Sequence, residues 1–191
     1  MELISKKEHL TTEGVMKIFS LRSALNKGLT KNISEVENIE IIERPLHLVD
    51  LDEFKKIDPH WIFGFTAGDG AFDIKITQRG SNYQVELRFR LTQHIRDAQL
   101  LGAIAAYFGC GKVYIRSNGL ACDLVINTFP DSINKVVPFF NKYPIITVKE
   151  KDFKDFALAA EVVKAKEHLT PEGLAKLRLL KSNMNKGRIN D

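Results

Sequence analysis

Residues 61–72 read W-I-F-G-F-T-A-G-D-G-A-F, and no other stretch restricts the possible folds as much. Gly64 and Gly68 stand four residues apart among apolar neighbours. That spacing puts both on one helix face, where the missing side chains let a second backbone approach closely. Asp69 follows at once, at the end of the same helix. A carboxylate is disfavoured there, because the C-terminal end carries the negative pole of the helix dipole. A lone Asp-Gly reads as a local turn. Next to a glycine seam it reads as a candidate metal ligand. Two such helices packed together bring two carboxylates into one junction, and like charges at short range need a cation between them. Mg²⁺ bridging carboxylate and phosphate oxygens suits that place and can activate water for phosphodiester hydrolysis.

An internal repeat organises the rest. Residues 7–28 read K-E-H-L-T-T-E-G-V-M-K-I-F-S-L-R-S-A-L-N-K-G, and residues 166–187 read K-E-H-L-T-P-E-G-L-A-K-L-R-L-L-K-S-N-M-N-K-G. Each copy has a threonine N-cap, Thr11 or Thr170, and Pro171 opens the second helix. Apolar residues recur at helical spacing (Val15, Ile18, Leu25; Leu174, Leu177, Met184), and Gly28 and Gly187 suit left-handed C-caps. The second copy ends a domain, so residues 1–28 read as the terminal helix of a preceding repeat. Residues 29–57 read as a linker and 58–191 as one whole domain.

Within that domain, Asp58-Pro59 starts the glycine-seamed helix over about residues 60–68. Two alternating runs follow, Ala71–Arg79 and Tyr83–Gln93, joined by the turn Arg79-Gly80-Ser81-Asn82. Then come a helix over about 96–108, a second hairpin (Lys112–Arg116 and Ala121–Thr128), and helices near 130–141, 151–166 and 171–185. The expected fold is α+β, in the order α-β-β-α-β-β-α with further helices at the end: a four-stranded antiparallel sheet covered by helices on one face.

The uncovered face would present Asp73, Lys75, Thr77, Gln84, Glu86, Arg88, Arg90, Lys112, Tyr114, Arg116, Asp123 and Asn127. A two-stranded ribbon fits a DNA major groove, where Arg and Lys read guanine and Asn and Gln read adenine. The mixed signs favour base reading over simple phosphate attraction. An ordinary solvated sheet face is the competing reading. The net charge of +4 suits a polyanionic partner without requiring one. The two cysteines, Cys110 and Cys122, lack metal-ligand spacing and read as reduced, half-buried thiols of an intracellular protein. No apolar run reaches about 18 residues, so no membrane span is expected. The first residues resemble neither a signal peptide nor a presequence; for an organellar protein this implies synthesis inside the organelle or a missing presequence.

The stretch I-F-G-F-T-A-G-D-G-A-F resembles the signature of the LAGLIDADG homing endonucleases. The likeness continues through L-T-Q-H-I-R-D at 91–97, F-G-C-G-K-V at 108–113, K-Y-P-I-I-T-V-K at 142–149 and the repeated K-E-H-L-T-x-E-G. It covers about residues 58–188 and is greatest to single-chain, two-repeat enzymes encoded in fungal mitochondrial introns. The resemblance implies a site-specific endonuclease on double-stranded DNA, located in the mitochondrion and using Mg²⁺, with Mn²⁺ or Ca²⁺ as substitutes for binding. It implies metal binding by Asp69 with Gly68, a helix interface at Gly64 and Gly68, and a polar Gln93 that positions water. Lys149 corresponds to a basic residue near the scissile phosphate, with a surface lysine as the alternative. Nucleotide contacts would come from the outward strand residues, and phosphate contacts from Arg96 and the turn after Gly80. His94 reads as a solvated or phosphate-contacting histidine, and His9 and His168 as structural. The family also contains maturases that bind group I intron RNA, and relics that bind without cutting. Single-chain members carry two signature helices, and this sequence carries one. The second repeat would be another copy in a homodimer, or a separate N-terminal half.

Overall fold

The computed structural model describes residues 2–25, 29–35, 39–42 and 49–185. The chain divides into two compact units, Met1–His47 and Leu48–Asp191.

The first unit is helical: α1 (Glu2–Ser5), a single 3-10 turn (Glu8–Leu10), α2 (Thr12–Ser23) and α3 (Lys31–Ser34). Thr11 caps α2 by accepting from the Gly14 N–H at 3.0 Å. The Ser23 hydroxyl ties the end of α2 to Ile42, whose N–H donates to it at 2.8 Å.

The second unit opens with α4 (Leu51–Phe54), inside the stretch expected to be a linker. Phe54 is buried in the core and Val49 and Ile57 pack against it, so the apolar residues of this stretch draw it onto the domain. Then follow α5 (Pro59–Asp69), β1 (Gly70–Arg79), β2 (Asn82–His94), α6 (Ala98–Phe108), β3 (Lys112–Ile115) and β4 (Ala121–Ile126). Last come α7 (Phe129–Asp131), α8 (Val137–Lys142), α9 (Lys149–Lys164) and α10 (Pro171–Ser182). The order matches the expected one.

The strands pair antiparallel in the order β1-β2-β4-β3. Alternation sends Phe72, Ile74, Leu87, Phe89, Leu91, Cys122, Leu124 and Ile126 into the core. Phe72 is its centre: its ring lies 5.2–5.4 Å from Phe89, Phe140, Phe153 and Phe156. Truncating such a ring costs about 3–5 kcal/mol.

The helix expected near 130–141 is interrupted. Residues Ser132–Val136 form a wide π turn, in which the Val137 N–H reaches back to the Ser132 carbonyl. Pro138 follows and has no N–H to donate, and the wide turn carries the helix past it. Of the apolar run 145–148, only Ile145 is buried; Ile146 and Val148 stay exposed. Cys122 is fully buried rather than half-buried, because β4 turns it onto the core face.

The repeat also recurs as local geometry. Lys7 and Lys166 both adopt the left-handed conformation at φ 59°. Thr170 accepts from Gly173 as Thr11 does from Gly14. Gly28 and Gly187 lie outside the described residues. In the second copy it is Asn185, two residues before Gly187, that takes a left-handed φ of 54°.

Candidate nucleic-acid interface and metal site

Asp58 caps α5 by accepting from the His60 N–H at 2.8 Å, and Pro59 supplies the preset φ of a first turn. Ile62 and Thr66 face the core. Gly64 and Gly68 face away: a Cβ built on either would meet no atom within 4 Å. Trp61 lies on the same side, 40% exposed, with its ring stacked 5.0 Å from Phe65. An apolar, glycine-seamed helix face is therefore open to solvent.

Asp69 is the last residue of α5 and is exposed. Its Oδ2 accepts a hydrogen bond from Gln93 Nε2 at 2.6 Å. The register explains the contact. Gly70 pairs with Leu91, so β2 runs on past the start of β1 and carries Gln93 beside the helix end. Lys149, the first residue of α9, completes the group. Its ammonium donates to the Gly68 carbonyl at 2.6 Å and to the Thr66 carbonyl at 3.3 Å. Both carbonyls belong to the last turn of α5, where the Thr66 oxygen also accepts from the Gly70 N–H, and a cation there balances the helix dipole. Burial pulls the Lys149 pKa below the usual lysine range, while the charges of Asp69 and Asp152 oppose that shift. The three residues expected to act together, Asp69, Gln93 and Lys149, thus meet at one helix end.

The outward sheet face is cross-linked by its own charges. Asp73 lies opposite Arg88, and the guanidinium grips the carboxylate with Nη2–Oδ2 at 2.8 Å. Lys75 pairs with Glu86 at 3.7 Å, and Asn127 donates to Glu86 at 2.7 Å. Arg116 donates to Asp123 at 2.7 Å. Thr77 stands opposite Gln84, and Lys112 and Tyr114 continue the face on β3. Arg90 sits between Ala71 and Val125, its Nε buried without a hydrogen-bond partner. The Arg116 hydrogen bond holds the Asp123 carboxyl below the usual carboxylate range against the opposing effect of burial, and the Thr92 hydroxyl adds to it. Thr92 is a face residue that the sequence reading missed. Its signal was parity, since it follows Arg90 by two.

Arg96 stands apart, in the 3-10 turn after β2. His94 accepts from the Arg96 N–H at 3.3 Å and caps that turn. At the hairpin tip, Gly80 adopts φ 60° and its carbonyl accepts from Gln78 at 3.2 Å. Cys110 and Cys122 are free thiols whose pKa values burial raises. Among the described residues, no three His, Cys, Asp or Glu side chains gather where they could hold a metal ion. Among the described residues, no helix is long and apolar enough to cross a membrane.

Comparison with known proteins places the chain in a family. Residues 62–160, more than half of the chain, match the model of the LAGLIDADG endonuclease family. The sequence is 37% identical over 183 residues to probable intron-encoded endonuclease 3 of Neurospora crassa, covering 94% of this chain and 34% of that protein. The structure is similar to meganuclease I-SmaMI bound to uncleavable DNA, with a TM-score of 0.88 and 38% identity over 98% of this chain and 62% of that one. It is also similar to I-SmaMI bound to uncleaved DNA in the presence of calcium ions, with a TM-score of 0.86 and 37% identity over 97% of this chain and 63% of that one. The chain thus spans about a third of the Neurospora relative and about six-tenths of the meganuclease. Its four-stranded antiparallel sheet with helices is the fold of the matching part of the meganuclease, and the chain belongs to the LAGLIDADG endonuclease family.

Proposed function

We propose that this chain supplies one half of a site-specific, metal-dependent endonuclease that cuts both strands of a DNA duplex. One observation carries this reading: Asp69 ends a helix whose glycine face is open, with Gln93 and Lys149 already in hydrogen-bond contact with that end. The DNA-bound relative supports a duplex as the partner, and the one bound to DNA in the presence of calcium ions supports a divalent cation.

A second signature helix packs across Gly64 and Gly68, as another copy of the chain or a separate repeat. It brings a second carboxylate to Asp69, and the pair suits a hard cation such as Mg²⁺. The Gly68 carbonyl, which the Lys149 ammonium holds at 2.6 Å, becomes a further oxygen donor at the same end once that ammonium turns to the phosphate. One carboxylate is half of such a donor set. When bound, the cation neutralises phosphate charge and lowers the pKa of a bound water. Gln93 fixes the Asp69 carboxylate and positions water beside it. Lys149 places a positive charge next to the phosphate undergoing cleavage. The sheet reads the major groove with Lys75, Gln84, Arg88, Arg90, Lys112, Arg116 and Asn127, while Asp73, Glu86 and Asp123 hold several of these in position. Arg96 and the Gly80 turn contact phosphates at the rim. The likeness to intron-encoded enzymes supports a place in the mitochondrion.

The test is incubation of the paired protein with Mg²⁺ and duplex DNA carrying the uninterrupted insertion locus. We expect double-strand cuts that Asp69→Asn abolishes while binding persists. Cutting that survives the substitution would overturn the reading. No cutting, together with nanomolar binding of intron RNA, would replace it with a maturase.

A further inference from the structure

The end of the repeated terminal helix reaches the candidate site through one residue. Asn185 adopts a left-handed φ of 54° just after α10, a conformation that asparagine tolerates better than most side chains. The turn aims two donors at two distant elements. The side-chain Nδ2 donates to the Phe72 carbonyl at 2.9 Å. Phe72 lies on β1, three residues after Asp69, and β1 is an edge strand. The backbone N–H of Asn185 donates to Asp152 Oδ1 at 3.1 Å. Asp152 is 7% exposed and lies on α9 three residues after Lys149, so the two share a helix face. Asn185, Asp152, Lys149 and Arg90 line one open cleft of about 720 Å³.

We infer that Asn185 is a positioning residue for this site: it clamps the start of β1, which carries on from Asp69, to the start of α9, which begins with Lys149. The inference rests on the reading of the chain as a nuclease half. Lys149 and Asp69 come from elements 80 residues apart in sequence, and their approach is set where Asn185 bridges them. A shift of about 1 Å in such a constellation can cost about a hundredfold in rate. Asn185→Gly keeps the left-handed turn and its N–H while deleting the bond to Phe72.

The experiment uses the paired protein and duplex carrying the uninterrupted locus. It measures single-turnover cleavage in Mg²⁺, DNA affinity in Ca²⁺ and the thermal midpoint. Leu177→Ala is the structural control. Leu177 is buried in α10 two turns earlier and makes none of these hydrogen bonds. We expect Asn185→Gly to cut about ten- to a hundredfold more slowly with unchanged affinity. Leu177→Ala should lower the thermal midpoint and keep the cleavage rate. If Asn185→Gly cuts at the wild-type rate while Asp69→Asn does not cut, the clamp is refuted and the nuclease reading stands. If both helix variants lose cleavage in step with stability, Asn185 is only structural and the inference falls. A wild-type protein that cuts nothing refutes both.

Discussion

Asp69 sits where its own helix disfavours a negative charge, and two neighbours make the position tenable. Gln93 donates to the carboxylate and Lys149 neutralises the carbonyls of the last turn. Sequence could mark Asp69 through the glycine seam, and the hairpin turn at Gly80 sets the register that carries Gln93 past the start of β1, but how the end of α5 turns the Asp69 carboxylate towards Gln93 is visible only in the fold. Gln93→Ala should slow single-turnover cleavage about ten- to a hundredfold, as loss of a ligand-orienting partner does, with DNA affinity unchanged. A second residue-scale test concerns Asp123. Its carboxyl is held low by Arg116, so the folded state binds a proton less readily than the unfolded one. The stability it contributes is fully present above the ordinary carboxylate range and is lost as pH falls through the folded pKa. Denaturant midpoints of wild type and Asp123→Asn should therefore converge as pH drops from 7 to below about 4.

The strands were the most legible elements, because period-two alternation in 71–79 and 83–93 fixes which face is buried. The turn at Gly80 fixes the register that pairs Asp73 with Arg88. The pairing of β2 with β4 has no such local source, so the grouping of Thr92, Arg116 and Asp123 emerges only in the folded sheet. The π turn before Pro138 was likewise invisible to a helical period. The repeat makes a sharp prediction. A Cβ on Gly173 would run into the Glu167 carbonyl oxygen, and one on Gly14 into that of Glu8. Gly173→Ala should lower stability by about 1–3 kcal/mol, measured by denaturant unfolding. Gly64 behaves oppositely, since its Cβ would meet open space. Gly64→Ala should leave the isolated chain as stable or raise it by about 0.5–1 kcal/mol, and yet weaken pairing.

At the scale of the molecule, the described residues of the second unit hold a candidate metal carboxylate at the end of an open helix face, beside a charged sheet. We propose that residues 1–28 end a preceding repeat. α2 is capped by threonine and its own Gly14 lies against a preceding 3-10 turn that opens with a left-handed lysine, as Gly173 of α10 does in the whole domain. The central claim is that the nuclease site is shared between two signature helices. Its most direct test is cleavage of the uninterrupted locus in Mg²⁺ by the chain before and after a bulky block on the seam, Gly64→Leu with Gly68→Leu, with sedimentation reporting assembly. We expect paired wild-type protein to cut both strands, and the blocked chain to stay folded, sediment as a monomer and leave the duplex intact. Double-strand cutting by that blocked monomer would contradict the claim.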